Sequence, residues 1–383
     1  MTKRPTLIAP AGAALFAPAG AARLVLKIGS SLLVAPDGQV RRPWLETLVA
    51  DIAARRHAGQ QVILVSSGAI ALGSRRLGLS KGGRANLEDA QAAAATGQII
   101  LAGLWAELLG LHGITAAQIL VTLGDFEDRR RFLNASATLD RLLHLGVVPI
   151  LNENDSVATE EIRFGDNDRL AARAAQAGGA QGLILLSDID GLYTADPGTD
   201  PSARFIDCVP DIAAIAHMAS AKSASGMGSG GMAAKIEAAR IAHAAGIPVA
   251  IVAGQPDHPL AAFDSSGHGT IFTAPDPKRA RKAWLAGRMQ VVGRLHVDAG
   301  AVTALGKGKS LLAAGVTRVE GDFHRGDAVD VLGPDGQAIA RGLVGYDAAD
   351  ARAIAGKRSD AIAAILGYAP RSAILHRDQL VML

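Results

Sequence analysis

The sequence predicts a doubly wound α/β sandwich around a mostly parallel sheet, followed by a small, mainly β domain. Three observations lead there. The short runs LVLKIGS (24–30), QVILVSSGA (61–69), GVVPILNEND (146–155), GLILLSD (182–188) and IPVAIVAG (247–254) are rich in Val, Ile and Leu. Runs that apolar suit strands buried on both faces of a parallel sheet. Helical segments separate them, and such alternation is the pattern of helices packed on both sides of one sheet. Near residue 274 the texture changes. TAPDPKRARKAWLAGR brings prolines and the basic residues Lys278, Arg279, Arg281, Lys282 and Arg288, and short β-like pieces with turn signals follow.

In chain order, residues 1–22 come before the first strand. Lys3 and Arg4 lead a weakly apolar stretch, but Pro10 and Pro18 interrupt it, which speaks against a secretion signal. A loosely packed or disordered extension is expected. In the helix QIILAGLWAELLG, Ile100, Leu101, Leu104, Trp105 and Leu108 share one stripe. DRLAARAAQAGG ends in glycines, a normal helix stop. Residues 23–275 read as the main domain and 276–289 as a linker. In the β domain, 290–383, PDG between VDVL and QAIARGLV reads as a hairpin turn, with helices near 347–355 and 359–366.

Composition narrows the class. The chain has 383 residues, 49% hydrophobic and 20% charged, a globular balance with ample core material. No apolar run reads as a bilayer span. A net charge of +3 is too mild to argue for nucleic-acid binding. The single cysteine, Cys208, allows no internal disulfide and no Cys/His cluster suggests zinc. It reads as a small buried side chain in a protein of a reducing, cytoplasmic setting.

In sheets of this kind ligands bind beyond the carboxyl ends of the strands, and the unusual residues fall there. KIGSS carries Lys27, SSGAIALG carries Ser66, Ser67 and Gly68, NENDSV carries Asn152, Asn154 and Asp155, and LLSDIDGLYTADP carries Ser187, Asp188 and Asp190. The glycine-rich SGMGSGGMAAKIEAARIA (225–242) leads into a helix at Lys235. Its spacing does not fit the P-loop, which needs Gly-Lys-Ser/Thr in succession. Each feature alone has an ordinary reading: a snorkelling strand lysine, a tight turn, a helix N-cap or a flexible loop. Together they match phosphoryl transfer, where catalysis is positioning plus electrostatic stabilisation. Glycine-rich turns at helix N-termini approach phosphates closely. Two lysines neutralise developing charge, and a carboxylate between them holds both.

The motifs VLKIGSSLL, VSSGAIALG, DFEDRRRFLNA, PILNENDSVAT, FGDNDRLAA, LLSDIDGLYTADP and SGMGSGGMAAKIEAA resemble those of the glutamate 5-kinase family, amino-acid kinases that start proline synthesis. The likeness runs from about residue 23 to the C-terminus. It implies ATP-dependent phosphorylation of the side-chain carboxylate of L-glutamate. It casts Lys27 and Lys235 as stabilisers of the transferring phosphoryl group, with Asp168 orienting both, and neither lysine is expected in the core. Ser67, Asp155 and Asn167 hold glutamate, with backbone contacts from Gly68 and Ala69. Ser187 and Asp188 line the nucleotide site, and the stretch Ser229, Gly230, Gly231, Met232, Ala233, Ala234 and Lys235 covers ATP. Ser187 stands where the family commonly has Thr, and the hydroxyl is kept. Magnesium arrives with ATP, and no protein metal site is implied. The likeness further implies a homo-oligomer, feedback inhibition by proline and contact with the next enzyme of the pathway.

VDAGA, SLLAAGV, GDFHRGDAV and IAGKRSDAIAAILGY resemble the PUA domain, a fold often seen in RNA-modifying enzymes. Residues 290–383 hold 11 Lys or Arg against 10 Asp or Glu, which gives little electrostatic pull toward RNA. Two alternatives remain at this level: a related kinase acting on another carboxylate or a nucleotide, and an RNA-binding protein on a kinase-like scaffold. The intact Lys27, Asp168 and Lys235 favour an active kinase.

Overall fold

The computed structural model describes residues 12–35, 38–157, 166–215, 218, 231–276, 291–368, 370, 371 and 373–383. The chain divides into two units, Met1–Glu127 with Asn134–Pro275, and Asp128–Leu133 with Asp276–Leu383. The basic stretch expected as a linker lies outside the described residues.

Through residue 275 the order is β1 (Arg23–Ile28), α1 (Ser30–Leu33), α2 (Arg42–His57), β2 (Gln61–Ser66), α3 (Ala69–Leu77), α4 (Leu87–Gly110), β3 (Ala116–Val121), α5 (Leu123–Glu127), α6 (Arg129–His144), β4 (Val148–Glu153), α7 (Asp166–Gly178) and β5 (Gly182–Ser187). The short strands β6 (Leu192–Tyr193), β7 (Phe205–Ile206) and β8 (Cys208–Val209) follow, then α8 (Gly231–Ala244), β9 (Val249–Ala253), α9 (Pro259–Ser266) and β10 (Thr270–Phe272). The sheet order is β3-β4-β2-β1-β5-β9-β10-β8. From β3 to β9 every pairing is parallel, and β10 turns antiparallel to β9. β1 lies at the centre, and Leu24 to Ile28 are all buried. Parallel strands bring their carboxyl ends to one edge, so the ends of β1, β2, β4 and β5 gather where ligands bind in such sheets.

α4 braces that edge. It crosses α3 with backbone against backbone: a Cβ on Gly73 would lie 1.8 Å from the Ala93 carbonyl oxygen, and one on Gly97 1.8 Å from that of Ala69. Only glycine permits so close an approach. Trp105 of α4 is fully buried and donates from Nε1 to Ser66 Oγ at the end of β2, 2.9 Å away. By length and composition α4 could cross a membrane, contrary to the expectation that no run would. Here it packs on α3 and directs polar groups into the fold. The expected apolar stripe holds for Leu101, Trp105 and Leu108, but Ile100 is exposed.

Two further features depart from the sequence pattern. Residues 12–22 are packed, not loose. Ala13, Phe16 and Ala21 are fully buried, and the ring centroids of Phe16 and Phe263 lie 5.9 Å apart. The Phe16 carbonyl accepts from Arg55 Nη1 (2.7 Å) and Gln60 Nε2 (3.0 Å), and Arg55 Nη2 also pairs with Asp264 at 2.6 Å. The stretch is short and carries Pro18 and glycines, so no periodicity advertises its core residues. Cys208 is exposed rather than buried. It sits on the edge strand β8, where alternation turns Val209 inward and Cys208 outward.

The second unit contains β11 (Val291–Val297), α10 (Ala299–Gly306), β12 (Val316–Gly321), β13 (Ala328–Leu332), β14 (Ala338–Val344), α11 (Ala348–Ile354), α12 (Ser359–Leu366) and β15 (Leu375–Met382). Its sheet runs β12-β11-β13-β14-β15 around a core that includes Leu295, Val329, Val331 and Ile374. The β13–β14 hairpin turns at PDG, with Gly336 at φ +76°.

Truncating Phe16 empties a fully buried aromatic site, which costs about 3–5 kcal/mol. Phe16→Ala therefore lowers the melting temperature by roughly 6 °C or more. An unchanged melting curve would show that the segment is only laid on the surface.

Candidate active site

Lys27 is the penultimate residue of β1 and is only 7% exposed. Both neighbouring strands, β2 and β5, pair with it, so its side chain cannot reach an edge. Lys235 lies one turn into α8 and is equally buried. Both lysines therefore belong to the interior, against expectation. What permits it is Asp168, on α7 and 1% exposed. Lys27 Nζ stands 2.6 Å from its Oδ1 and Lys235 Nζ 3.3 Å from its Oδ2. Burial alone would push the Asp168 carboxyl up. The two ammonium groups outweigh that and hold it below the ordinary carboxylate range.

The arithmetic of this cluster matters. Two cations share one anion, and an uncompensated charge in the interior is costly. The site is thus electrostatically incomplete in a way that an anionic ligand would correct. The strand ends around it have suitable geometry. Gly29 follows β1, and a Cβ there would be 4.0 Å from Lys27 Nζ and 3.7 Å from the Leu186 carbonyl. Ser187, at the end of β5, is buried and donates to Asp188 Oδ1 at 3.0 Å, while Asp188 itself is exposed. Asp190 accepts instead from Tyr193 (3.1 Å) and pairs with His268 (2.9 Å).

On the other side of Asp168 lies a polar chain. Asn167 Nδ2 donates to Ser67 Oγ (2.8 Å) and to Asn152 Oδ1 (3.0 Å). Asn152 Nδ2 donates to Gln98 Oε1 at 2.8 Å. Gly68 takes φ +115° to turn the chain from β2 into α3, so that Ala69 opens the helix. Ala69 and Asp155 line a cavity of about 240 Å³ together with Gln98, Gln118, Glu153 and Asn154. Asp155 opens a single 3-10 turn after β4, and its charge acts on Arg84. The cavity wall does not include the lysines. The two regions are joined through the consecutive residues Asn167 and Asp168.

The structure thus brings together Lys27, Asp168 and Lys235, and separately Ser67, Asn167 and Asn152, with Ala69 and Asp155 beside the latter. Gly231, Met232, Ala233, Ala234 and Lys235 form the first turn of α8 rather than a loop. Ser229 and Gly230 lie outside the described residues. Gln98 escaped the sequence reading because one glutamine on an alanine-rich helix carries no local signal. Asn152 closes an apolar run in the sequence, and its place in the amide chain shows only in the fold.

Comparison with known proteins identifies the family. Residues 22–253 match the amino acid kinase family and residues 293–366 the PUA domain. The chain is 65% identical to a glutamate 5-kinase of Sphingopyxis alaskensis over 96% of its own length and 100% of that protein. Identity is 61% to one of Novosphingobium aromaticivorans, covering 94% of this chain and 96% of that one. It is 60% to one of Zymomonas mobilis, covering 97% and 94%. With a doubly wound sheet, two lysines on one aspartate at its carboxyl edge, and full-length similarity of this order, the chain belongs to the amino acid kinase family, on its glutamate 5-kinase branch, and ends in a PUA domain.

Proposed function

We propose that the protein transfers the γ-phosphoryl group of ATP to the side-chain carboxylate of L-glutamate, giving L-glutamyl 5-phosphate and ADP, the first step of proline biosynthesis. The observation that carries this reading is the pair of buried ammonium groups on one buried carboxylate. A carboxylate oxygen of glutamate forms the new P–O bond as the bond to the ADP oxygen breaks. The attacking carboxylate is already ionised at neutral pH, so no strong base is needed, and none is present in the cluster. What the reaction needs is neutralisation of charge on the transferring group, which preorganised cations supply. Lys27 and Lys235 serve that purpose and Asp168 keeps them converged.

In this reading Ser187, Asp188 and the stretch 229–235 take the nucleotide, and magnesium would enter with ATP and neutralise charge on its phosphates. Ser67, Gly68, Ala69, Asn167 and Asp155 take glutamate, with Asp155 offering its carboxylate to the α-ammonium group. Residues 23–275 are the catalytic domain. Proline would compete at the glutamate site, since it shares an α-carboxylate and an amino group. A homo-oligomer is supported by the apolar side chains that α4 leaves outside, Ile99 (78% exposed) above all. A cytoplasmic location and a contact with the next enzyme of the pathway complete the proposal. The near-neutral PUA domain favours a structural or regulatory role over RNA binding.

Trapping tests the reaction. Incubation with ATP, magnesium, glutamate and hydroxylamine yields the hydroxamate of an acyl phosphate, and its absence would refute the proposal. In the same assay Lys27→Ala and Lys235→Ala each lower kcat by about 10² or more. Since both lysines are buried, a melting curve accompanies each. A folded variant with near-parental turnover would remove that lysine from the mechanism.

Asp155→Asn takes away a charge-assisted contact of about 1.5–3 kcal/mol, so the KM for glutamate rises about ten- to a hundredfold while that for ATP stays. An equal rise for both substrates would place Asp155 outside the glutamate site.

A further inference from the structure

The polar chain beside Asp168 has a direction. Side-chain amides are asymmetric, with an acceptor on one arm and donors on the other. Gln98 presents Oε1 to Asn152, so Asn152 must turn its Nδ2 toward Gln98 and its Oδ1 toward Asn167. Asn167 must then direct its Nδ2 at Asn152 and Ser67. One arm is left over. Asn167 Oδ1 is buried and has no hydrogen-bond partner among the described residues. An orphaned buried acceptor costs free energy, and its neighbours Asn152 and Gln98 are themselves almost fully buried. The arrangement makes sense if an N–H donor arrives with the ligand.

The chain ends at Gln98, whose Oε1 accepts from Asn152. It is the member furthest from Asp168, and it is firmly seated. Gly97, directly before it, meets the Ala69 carbonyl at the α3–α4 crossing, so the backbone that carries Gln98 cannot shift without displacing the start of α3. Gln98, together with Gln118, borders both the cavity of Ala69 and Asp155 and a second one lined by Leu101, Trp105 and Ile150. We infer that Gln98 is a positioning residue: acting through Asn152, it fixes the amide of Asn167 so that Oδ1 accepts a hydrogen bond from the ammonium group of the amino-acid substrate. This rests on the proposed function and adds a determinant of selectivity for α-amino acids over plain dicarboxylates. Gln98 lines the cavity beside Ala69 and Asp155, and its part in the inference is to orient Asn152, not to meet the ammonium group. If the acceptor at position 98 is lost, Asn152 and Asn167 are free to flip, and the donors of Asn167 would then face the ammonium group.

The test is calorimetric binding of glutamate and of glutarate, which lacks the amino group, to the full-length protein, with a melting curve for each variant. Gln98→Met keeps the volume and removes the acceptor. It should weaken glutamate about tenfold, the size of one charge-assisted hydrogen bond, and leave glutarate unchanged, so that the preference between the two falls about tenfold. Gln98→Glu restores an acceptor at the same place and should restore most of the preference. Equal weakening of both ligands by Gln98→Met would mean that the residue only holds the fold, and the inference fails. An unchanged preference, or loss of preference in Gln98→Glu equal to that in Gln98→Met, overturns it as well. Should Gln98→Met not fold, Gln98→Leu takes its place: it also lacks the acceptor, so it must lose the preference, and a kept preference overturns the inference. A parent protein that binds neither ligand refutes the proposed function itself, and this inference with it.

Discussion

One carboxylate holding two ammonium groups is the constraint on which the rest of the molecule depends. Asp168 is buried, and so are Lys27 and Lys235. Neither lysine could be left inside without the aspartate, nor the aspartate without a lysine, because an unpaired buried charge costs several kcal/mol. The fold meets the requirement by drawing them from three elements. β1 supplies one lysine from the centre of the sheet, α8 supplies the other, and α7 carries the aspartate between them. Removing Asp168 would leave two cations facing one another, so the residue is both a structural tie and the organiser of the site. The remaining positive charge suits a ligand that brings phosphate.

The second constraint is steric. The close crossing of α3 and α4 at Gly73 and Gly97 brings one long helix against the carboxyl edge of the sheet. From there Trp105 reaches Ser66 and Gln98 reaches Asn152. A helix that looks apolar in composition thus spends its polar atoms on the ends of β2 and β4. The charged cluster and the amide chain meet at the neighbouring residues Asn167 and Asp168, so under the proposed function an acceptor substrate held by one would be presented to the other.

Much of this was legible in the sequence, and the reasons are physical. Strands buried on both faces must be apolar throughout, so β1, β2, β4, β5 and β9 were visible as runs. Polar residues closing such runs have no packing reason to be there, and Lys27, Ser67, Asp155 and Ser187 stood out for that cause. Lys235 stood out behind its glycine-rich stretch, whereas Asp168 was found because its motif resembles that of a known family, and nothing in their own spacing says that they converge. β3 and β10 were missed: β3 is only partly buried and β10 is three residues long, so neither makes a distinctive run. Gln98 was missed because its partner lies 54 positions away in sequence. The burial of Lys27 could not be read either, because it depends on which strands flank β1. The packed residues 12–22 owe their place to Arg55, Gln60 and Phe263, contacts that no local pattern encodes.

The central claim is that the two lysines hold Asp168 ionised in the interior. The direct measurement is the carboxyl-carbon titration of Asp168 by NMR on aspartate-labelled protein, assigned by the signal lost in Asp168→Asn. The account predicts that Asp168 stays ionised below the ordinary carboxylate range, as a depressed folded-state pKa requires. Its stabilising pairs are then in place at neutral pH and are lost only as pH falls through that depressed value. Removing either lysine should move the titration upward, because burial then meets less opposition. A carboxyl that titrates in the ordinary range in the parent protein, and does not move in Lys27→Ala or Lys235→Ala, would contradict the account.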